Sequence, residues 1–241
     1  MPDGTPSRTE EITQILRDEI LRGQYRAGER LPSERDVATR FETSRGTVRE
    51  AYKKLEQLGI VSIQPRGARV VPVQECTLDV LGPLLDLNDA PDVGLVDEVF
   101  GVGAVLISYA AELAVEQADA TRLSGVETVL DEVLTAEPDE LAQMHVPKRL
   151  GRAFAEASGN LVLLLIVNGL KTQVASPRRR FAAPNLDPKT LRAIACKLKA
   201  AVRGRDAKLT GSLMRELVEL RRAEARAMLA SRWREIQEGA S

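Results

Sequence analysis

Near the start of the chain, Ile12, Ile15, Leu16 and Leu21 recur at helical spacing. That spacing predicts an amphipathic helix, which Gly23 stops. In AGERLPSERDVATRF, Pro32 breaks the chain and Ser33 is placed as a helix N-cap, with Asp36 three residues on, near a capping box. Val37, Ala38 and Phe41 give the short helix that follows one apolar face. After a tight turn, Thr43 or Ser44 caps a third helix with apolar positions Val48, Ala51, Tyr52, Leu55 and Leu58, closed by Gly59. The period then drops towards two in IVSIQPRGARVVPV, a small hairpin with Pro65, Arg66 and Gly67 at its tip. Three helices and a hairpin make a winged helix-turn-helix.

Beyond it lies a junction with polar breaks at Gly82, Asn88, Pro91 and Gly94 and a short apolar helix near 78–86. No β-rich run appears after that. Helices are expected over 95–117, 120–135, 138–157 (interrupted or kinked at Pro147), 160–176, 188–203 and 206–236. Ser158-Gly159-Asn160 and Arg203-Gly204-Arg205 punctuate them. The expected fold class is therefore mainly α. A winged helix-turn-helix occupies residues 1–74, a linker with a short helix 75–94, and an all-helical bundle of about six to seven helices 95–241.

Composition narrows the setting. The 241 residues hold 44% hydrophobic side chains and few aromatics, which suits helical structure with a real core. The N-terminus is polar and acidic, without the pattern of a signal peptide. The uncharged runs near 99–111 and 159–170 are too short to span a bilayer, so no membrane is expected and the setting reads as cytoplasmic. Cys76 and Cys196 are far apart and form no disulfide framework or zinc pattern.

The net charge of −1 hides a strong asymmetry: residues 75–142 hold 1 Lys/Arg against 16 Asp/Glu, and residues 143–241 hold 20 against 8. Both blocks carry apolar periodicity, so acidic and basic helices are expected to pack side by side. The sequence shows no Gly-rich phosphate loop, no G-x-S-x-G elbow and only one histidine, His145, which excludes most His-based catalysis. The acidic segment 127–140 reads as an outer helix face. Nothing here points to an enzyme.

The third helix buries Val48, Ala51 and Leu55, which leaves Arg45, Thr47 and Arg49 on or near its opposite, N-terminal side. A recognition helix enters the major groove with that end leading. An arginine fork matches O6 and N7 of guanine, and Ser44, Thr47 and nearby backbone amides suit phosphate. Gly46 removes a side chain where a DNA backbone would approach. The pattern LPSERDVATRF, then SRGTVREAYKKLEQLG, then a wing Arg-Gly, resembles the N-terminal domain of the GntR family of bacterial transcription regulators over about residues 9–73. The resemblance implies sequence-specific binding to a double-stranded, pseudo-palindromic operator by a homodimer. It assigns DNA contacts to Arg35, Arg45, Thr47, Arg49, Arg66 and Gly67.

EVFGVGAVLISYAAELAVEQA and AFAEASGNLVLLLIVNGL are similar to the FadR subgroup of that family, with its all-helical FCD effector domain. Most such domains bind a divalent metal through an Asp and three histidines. Pro147, Gly151, Ala195 and Leu217 stand at those positions here, so that metal site cannot be built, and no cofactor is expected. Relatives also hold polar effectors with an Arg and a Glu, where this chain has Phe100 and Ala104. The remaining inventory is apolar: Val99, Phe100, Val102, Val105, Leu106, Leu161, Leu164, Leu165, Val167 and Leu170 either fill a helical core or line a greasy cavity. The metal-free member that names the subgroup responds to long-chain fatty acyl-CoA. In that analogy Arg178, Arg179 and Arg180 either hold phosphates or stand in a solvated loop. The other reading is a helical domain that only dimerises and senses no ligand.

Overall fold

A computed structural model of the protein describes residues 7–88, 92–174 and 186–239, the side chains of 142–143 and 232–239 excepted. The chain forms two compact units, Met1–Asp89 with Gln173–Ser176 and Ala90–Thr172 with Pro177–Ser241.

In the first unit, α1 (Arg8–Leu21) opens on a reciprocal capping box between Ser7 and Glu10 and buries Ile12, Leu16 and Ile20. The turn after it uses Gly23 at φ +77°, a conformation that favours glycine. α2 (Glu34–Arg40) starts at Ser33, whose hydroxyl accepts from the Asp36 amide. The return bond differs from a full capping box: the Ser33 hydroxyl donates to the Asp36 carboxylate at 2.6 Å. α3 (Arg45–Gln57) is capped by Ser44, not Thr43, and buries Val48, Ala51, Tyr52 and Leu55 against α1 and α2.

The hairpin is β1 (Val61–Gln64) and β2 (Gly67–Val70), antiparallel, with Gln64 facing Gly67 so that Pro65 and Arg66 alone form the turn. Residues 28–31 run beside β2 as a further partner, with Gly28 N–H bonded to Val70 O and Leu31 N–H to Ala68 O. Two 3-10 turns, Val73–Glu75 and Leu78–Val80, lead into α4 (Leu81–Leu85); Val80 and Leu84 join the core of this first unit.

The second unit is helical among the described residues: α5 (Val93–Gln117), α6 (Ala120–Thr135), α7 (Pro138–Gln143), α8 (Val146–Ser158), α9 (Leu161–Val174), α10 (Pro188–Arg203) and α11 (Ala207–Gly239). The helix expected over 138–157 is two helices. The break falls at His145, held left-handed at φ +48°, and Pro147 sits in the first turn of α8, where its missing N–H costs nothing. Gly159 closes α8 at φ +65°, and Asn160 caps the next helix by accepting from Leu163 N–H. After α10 the left-handed residue is Arg205, at φ +56°, rather than its neighbour Gly204. The Arg205 guanidinium donates to Val115 O and Ala118 O, satisfying carbonyls at the end of α5.

α5 runs along α11, with the buried Ser108 hydroxyl donating to Gly211 O at 2.8 Å. Its length and mean hydropathy of 1.6 pass the test for crossing a bilayer, although its uncharged run is short, because the helix continues past Asp97 and Glu98 at one end and Glu112 at the other. Asp97 and Glu112 find partners within the unit. Arg222 grips Asp97 through two hydrogen bonds, and Lys208 reaches Glu112 at 2.6 Å. Arg149–Glu132, Lys199–Asp131 and Arg203–Glu127 add to them. The acidic block and the basic block thus neutralise one another across adjoining helices, as the charge pattern suggested.

Candidate nucleic-acid interface

The start of α3 is a prepared surface. Ser44 Oγ accepts from the Thr47 amide at 3.1 Å and lies 2.9 Å from the Thr47 hydroxyl, so both small side chains are partly spent on the cap. Gly46 has no structural need to be glycine: a Cβ there would meet only Ser44 Oγ, at 3.6 Å. The bare position faces outward. Tyr52, on the third turn of α3, is buried to 4% and donates its hydroxyl to Pro32 O at 2.7 Å. That bond pins the segment before α2 to α3, and burial pushes the Tyr52 phenol far above its ordinary pKa, so it remains a donor.

Between α3 and the wing lies a groove of about 750 Å³. Six cations line it: Arg30, Arg35, Arg45, Arg49, Lys53 and Arg66. The structure therefore brings together four arginines singled out in the sequence, Arg35, Arg45, Arg49 and Arg66. Arg35 is 73% exposed and only 3.8 Å from the neighbouring Asp36 carboxylate. Arg45 has no side-chain hydrogen bond or ion pair among the described residues. Arg49 differs: it makes a bidentate pair with Glu34, Nε to Oε1 at 3.0 Å and Nη2 to Oε2 at 2.9 Å. The Arg49 hydrogen bond, with smaller help from the Arg45 charge, holds the Glu34 carboxyl below its ordinary range. Lys53 pairs with Glu50.

Gly67 at the wing has φ +111°, and a Cβ there would come within 2.9 Å of Arg30 Nε. The backbone conformation is what calls for glycine, and Arg30, lying against the wing tip, would have to shift for a larger residue. Sequence reasoning passed over Arg30 and Glu34. The only signal was their proximity to the LPSER run, which by itself does not say that either faces α3.

In the helical unit, Ala104, Gly151, Ala195 and Leu217 are buried, and Ile107 packs so closely on Gly151 that an added Cβ would meet its Cδ1 at 3.0 Å. Gly151, Ala195 and Leu217, with Pro147, offer no nitrogen or oxygen donor, and among the described residues no group of three His, Cys, Asp or Glu could hold an ion, so the side chains do not fit the metal that the fold family implies. Phe100 is half-buried. Leu165 does not join a lining: it stands 60% exposed on α9, beside Leu161, Val162 and Ile166 at 45–66%. On α5, Val102, Val105 and Tyr109 are likewise more than half exposed. Much of the apolar inventory thus lies on the outside of the single chain, because α9 presents one edge to the core, through Leu163, Leu164 and Val167, and leaves its other face bare. Arg178, Arg179 and Arg180 lie outside the described residues.

Comparison with known proteins decides the family. Residues 8–71 match the profile of bacterial regulatory proteins of the gntR family, and residues 98–220, just over half of the chain, match the FCD domain. The chain belongs to the GntR family. It is a DNA-binding transcription regulator of the GntR type with an FCD effector domain. Among relatives, the Uxu operon regulator of Haemophilus influenzae is 32% identical over 157 residues, 64% of this chain and 55% of that one. The galactonate operon transcriptional repressor of Escherichia coli is 29% identical over 163 residues, 66% of this chain and 70% of that one. The regulator Mce2R of Mycobacterium tuberculosis is 34% identical over 112 residues, 45% of this chain and 46% of that one. The matched part thus spans only about half the length of two of these relatives. Among solved structures, Lar, which controls the expression of the Listeria monocytogenes agr system, shares the fold, with TM-score 0.56 and 14% identity over 92% of this chain and 98% of that one.

Proposed function

We propose that this GntR regulator binds a pseudo-palindromic operator as a homodimer. Arg35, Ser44, Arg45, Gly46, Thr47 and Arg49 meet the major groove, and Arg66 and Gly67 meet the DNA through the wing. The observation that carries the reading is the six-cation groove between α3 and the hairpin, with Arg45 and Arg66 free to engage a ligand outside the chain. DNA is the polyanion that a recognition helix beside a wing is shaped to receive. Support for the homodimer comes from the bare apolar faces of α5 and α9, which are costly to leave in water. A two-fold axis would set two such heads on half-sites about one helical turn, ~34 Å, apart. In-vitro selection of duplexes, followed by binding titrations at rising salt, tests the reading. A two-fold symmetric consensus bound with steep salt dependence is expected. Weak, salt-independent binding would overturn it.

Residues 95–241 form the effector and dimerisation part in this reading, and 1–74 the DNA-binding part. The positions that hold metal and acid in relatives are here filled by Ala104, Gly151, Ala195 and Leu217, which supports a metal-free, apolar effector such as a fatty acyl-CoA. Thermal denaturation with acyl-CoAs, galactonate and lactate separates the possibilities. A rise with acyl-CoA supports the apolar effector, and a rise with the hydroxy-acids alone refutes it. No rise with either favours a domain that only dimerises.

A further inference from the structure

The cation-lined groove also holds two carboxylates, Glu34 and Asp36; Asp36 belongs to the Ser33 cap, but attraction to DNA does not explain Glu34. Glu34 opens α2, reaches across to α3 and lies beside both Arg45 and Arg49. If the groove served only to collect phosphates, a fixed negative charge in its lining would oppose its purpose.

We propose that Glu34 is a specificity-determining positioning residue, which presets Arg49 to read guanine and bars it from settling on a phosphate. This deepens the reading above and rests on Arg49 facing DNA.

The argument is geometric. A guanidinium carries five N–H donors on fixed edges. Glu34 occupies the side edge, taking the Nε hydrogen and one Nη2 hydrogen at 3.0 and 2.9 Å. The end edge, with the other Nη2 hydrogen and those of Nη1, stays open, and its two parallel donors match guanine O6 and N7. Both supports of the bridge stand on ordered backbone. Glu34 follows the Ser33 cap, and Pro32 just before it is tied to Tyr52, three residues after Arg49 on α3. Arg49 remains 61% exposed while Glu34 is 32% exposed, so the arginine is the more accessible partner of the pair.

Two consequences follow from charge and entropy. An arginine frozen by a fork-to-fork pair gives up less side-chain freedom when it meets a base. A carboxylate beside it repels the full charge of a phosphate more strongly than the partial charges of the O6/N7 edge. Glu34 thus weakens sequence-blind binding and strengthens the specific kind. Arg45, without such a partner, has neither constraint.

The test uses the full chain, with an operator selected in vitro and an unrelated duplex of equal length. Affinities are measured for wild type, Glu34→Gln, Glu34→Ala, Arg49→Ala and the double variant Glu34→Ala/Arg49→Ala, with thermal melting to confirm folding. Glu34→Ala is expected to weaken operator binding about tenfold, part of the discrimination of one bidentate base contact. It should tighten binding to the unrelated duplex, with the salt slope steeper by about 0.9 for one released cation. Glu34→Gln should shift both in the same directions. With Arg49 already replaced, removing Glu34 should weaken operator binding no further. Equal tightening on both duplexes would make Glu34 a mere competitor and overturn the proposal, as would no change on either. If Arg49→Ala weakens the operator complex but Glu34→Ala does not, only this inference fails. If Arg49→Ala itself has no effect, the assignment of Arg49 to DNA fails with it.

Discussion

Arg45→Ala isolates one side chain of the DNA-reading surface with little confusion from folding. Arg45 is exposed, begins α3 and bonds to no other described side chain. Alanine and arginine are close in helix propensity, and a surface change of this kind moves stability by only about 0.5 kcal/mol. Nearly all of its effect should therefore appear in binding. If Arg45 holds a guanine, the variant loses about 1–3 kcal/mol at that operator. That is roughly 5- to 150-fold in Kd, with preference relaxed at one base pair. If it holds a phosphate instead, affinity falls alike on all duplexes and the slope of log K against log salt shrinks by about 0.9. Arg49→Ala should cost more than Arg45→Ala, because it also leaves the Glu34 carboxylate unneutralised beside the DNA. Anisotropy titrations of a labelled operator and its single-base variants at several salt concentrations read all three quantities. Unchanged operator affinity, or a loss that tracks a fall in melting temperature, would refute the reasoning.

Gly67→Ala should cost more than about 1 kcal/mol in urea unfolding, since φ +111° suits no L-residue and Arg30 must yield. Phe154→Ala, at a fully buried position in the helical core, should cost about 3–5 kcal/mol by the same measurement. A chelator should leave the melting temperature unchanged, because among the described residues no group of three His, Cys, Asp or Glu could hold a metal ion; a clear drop would reveal a bound ion. The Arg222 hydrogen bonds hold the Asp97 carboxyl below its ordinary range. Its stabilising share is complete at neutral pH and is lost as pH falls through that lowered value, so Asp97→Asn should flatten the acid limb of a pH–stability curve.

The helices and the wing were legible because caps, glycines and apolar spacing act locally: Ser33, Ser44, Gly23 and Gly59 each do in the fold what their neighbours in sequence suggest. The arginines of α3 were legible for the same reason, being one turn apart. The Arg49–Glu34 bridge was not, since it joins residues 15 apart across a turn and nothing local says which acid answers which base. Pro147 marked the interruption of 138–157 to within two residues: it stands in the first turn of α8, because proline is as welcome at a helix start as it is disruptive inside one. The exposure of Leu161, Val162, Leu165 and Ile166 was also hidden. An apolar helix reads alike whether its own chain or a second copy covers it.

The Tyr52 hydroxyl on Pro32 and the bonds of Gly28 and Leu31 to β2 link recognition helix, intervening segment and wing in one continuous run. A head tied together in this way cannot widen or twist its two points of attachment independently. In the complex proposed above, the duplex must then supply the adjustment, and its stiffness varies with base sequence. Base steps that no side chain touches thereby enter the choice of operator, through how cheaply they let the double helix curve between recognition helix and wing.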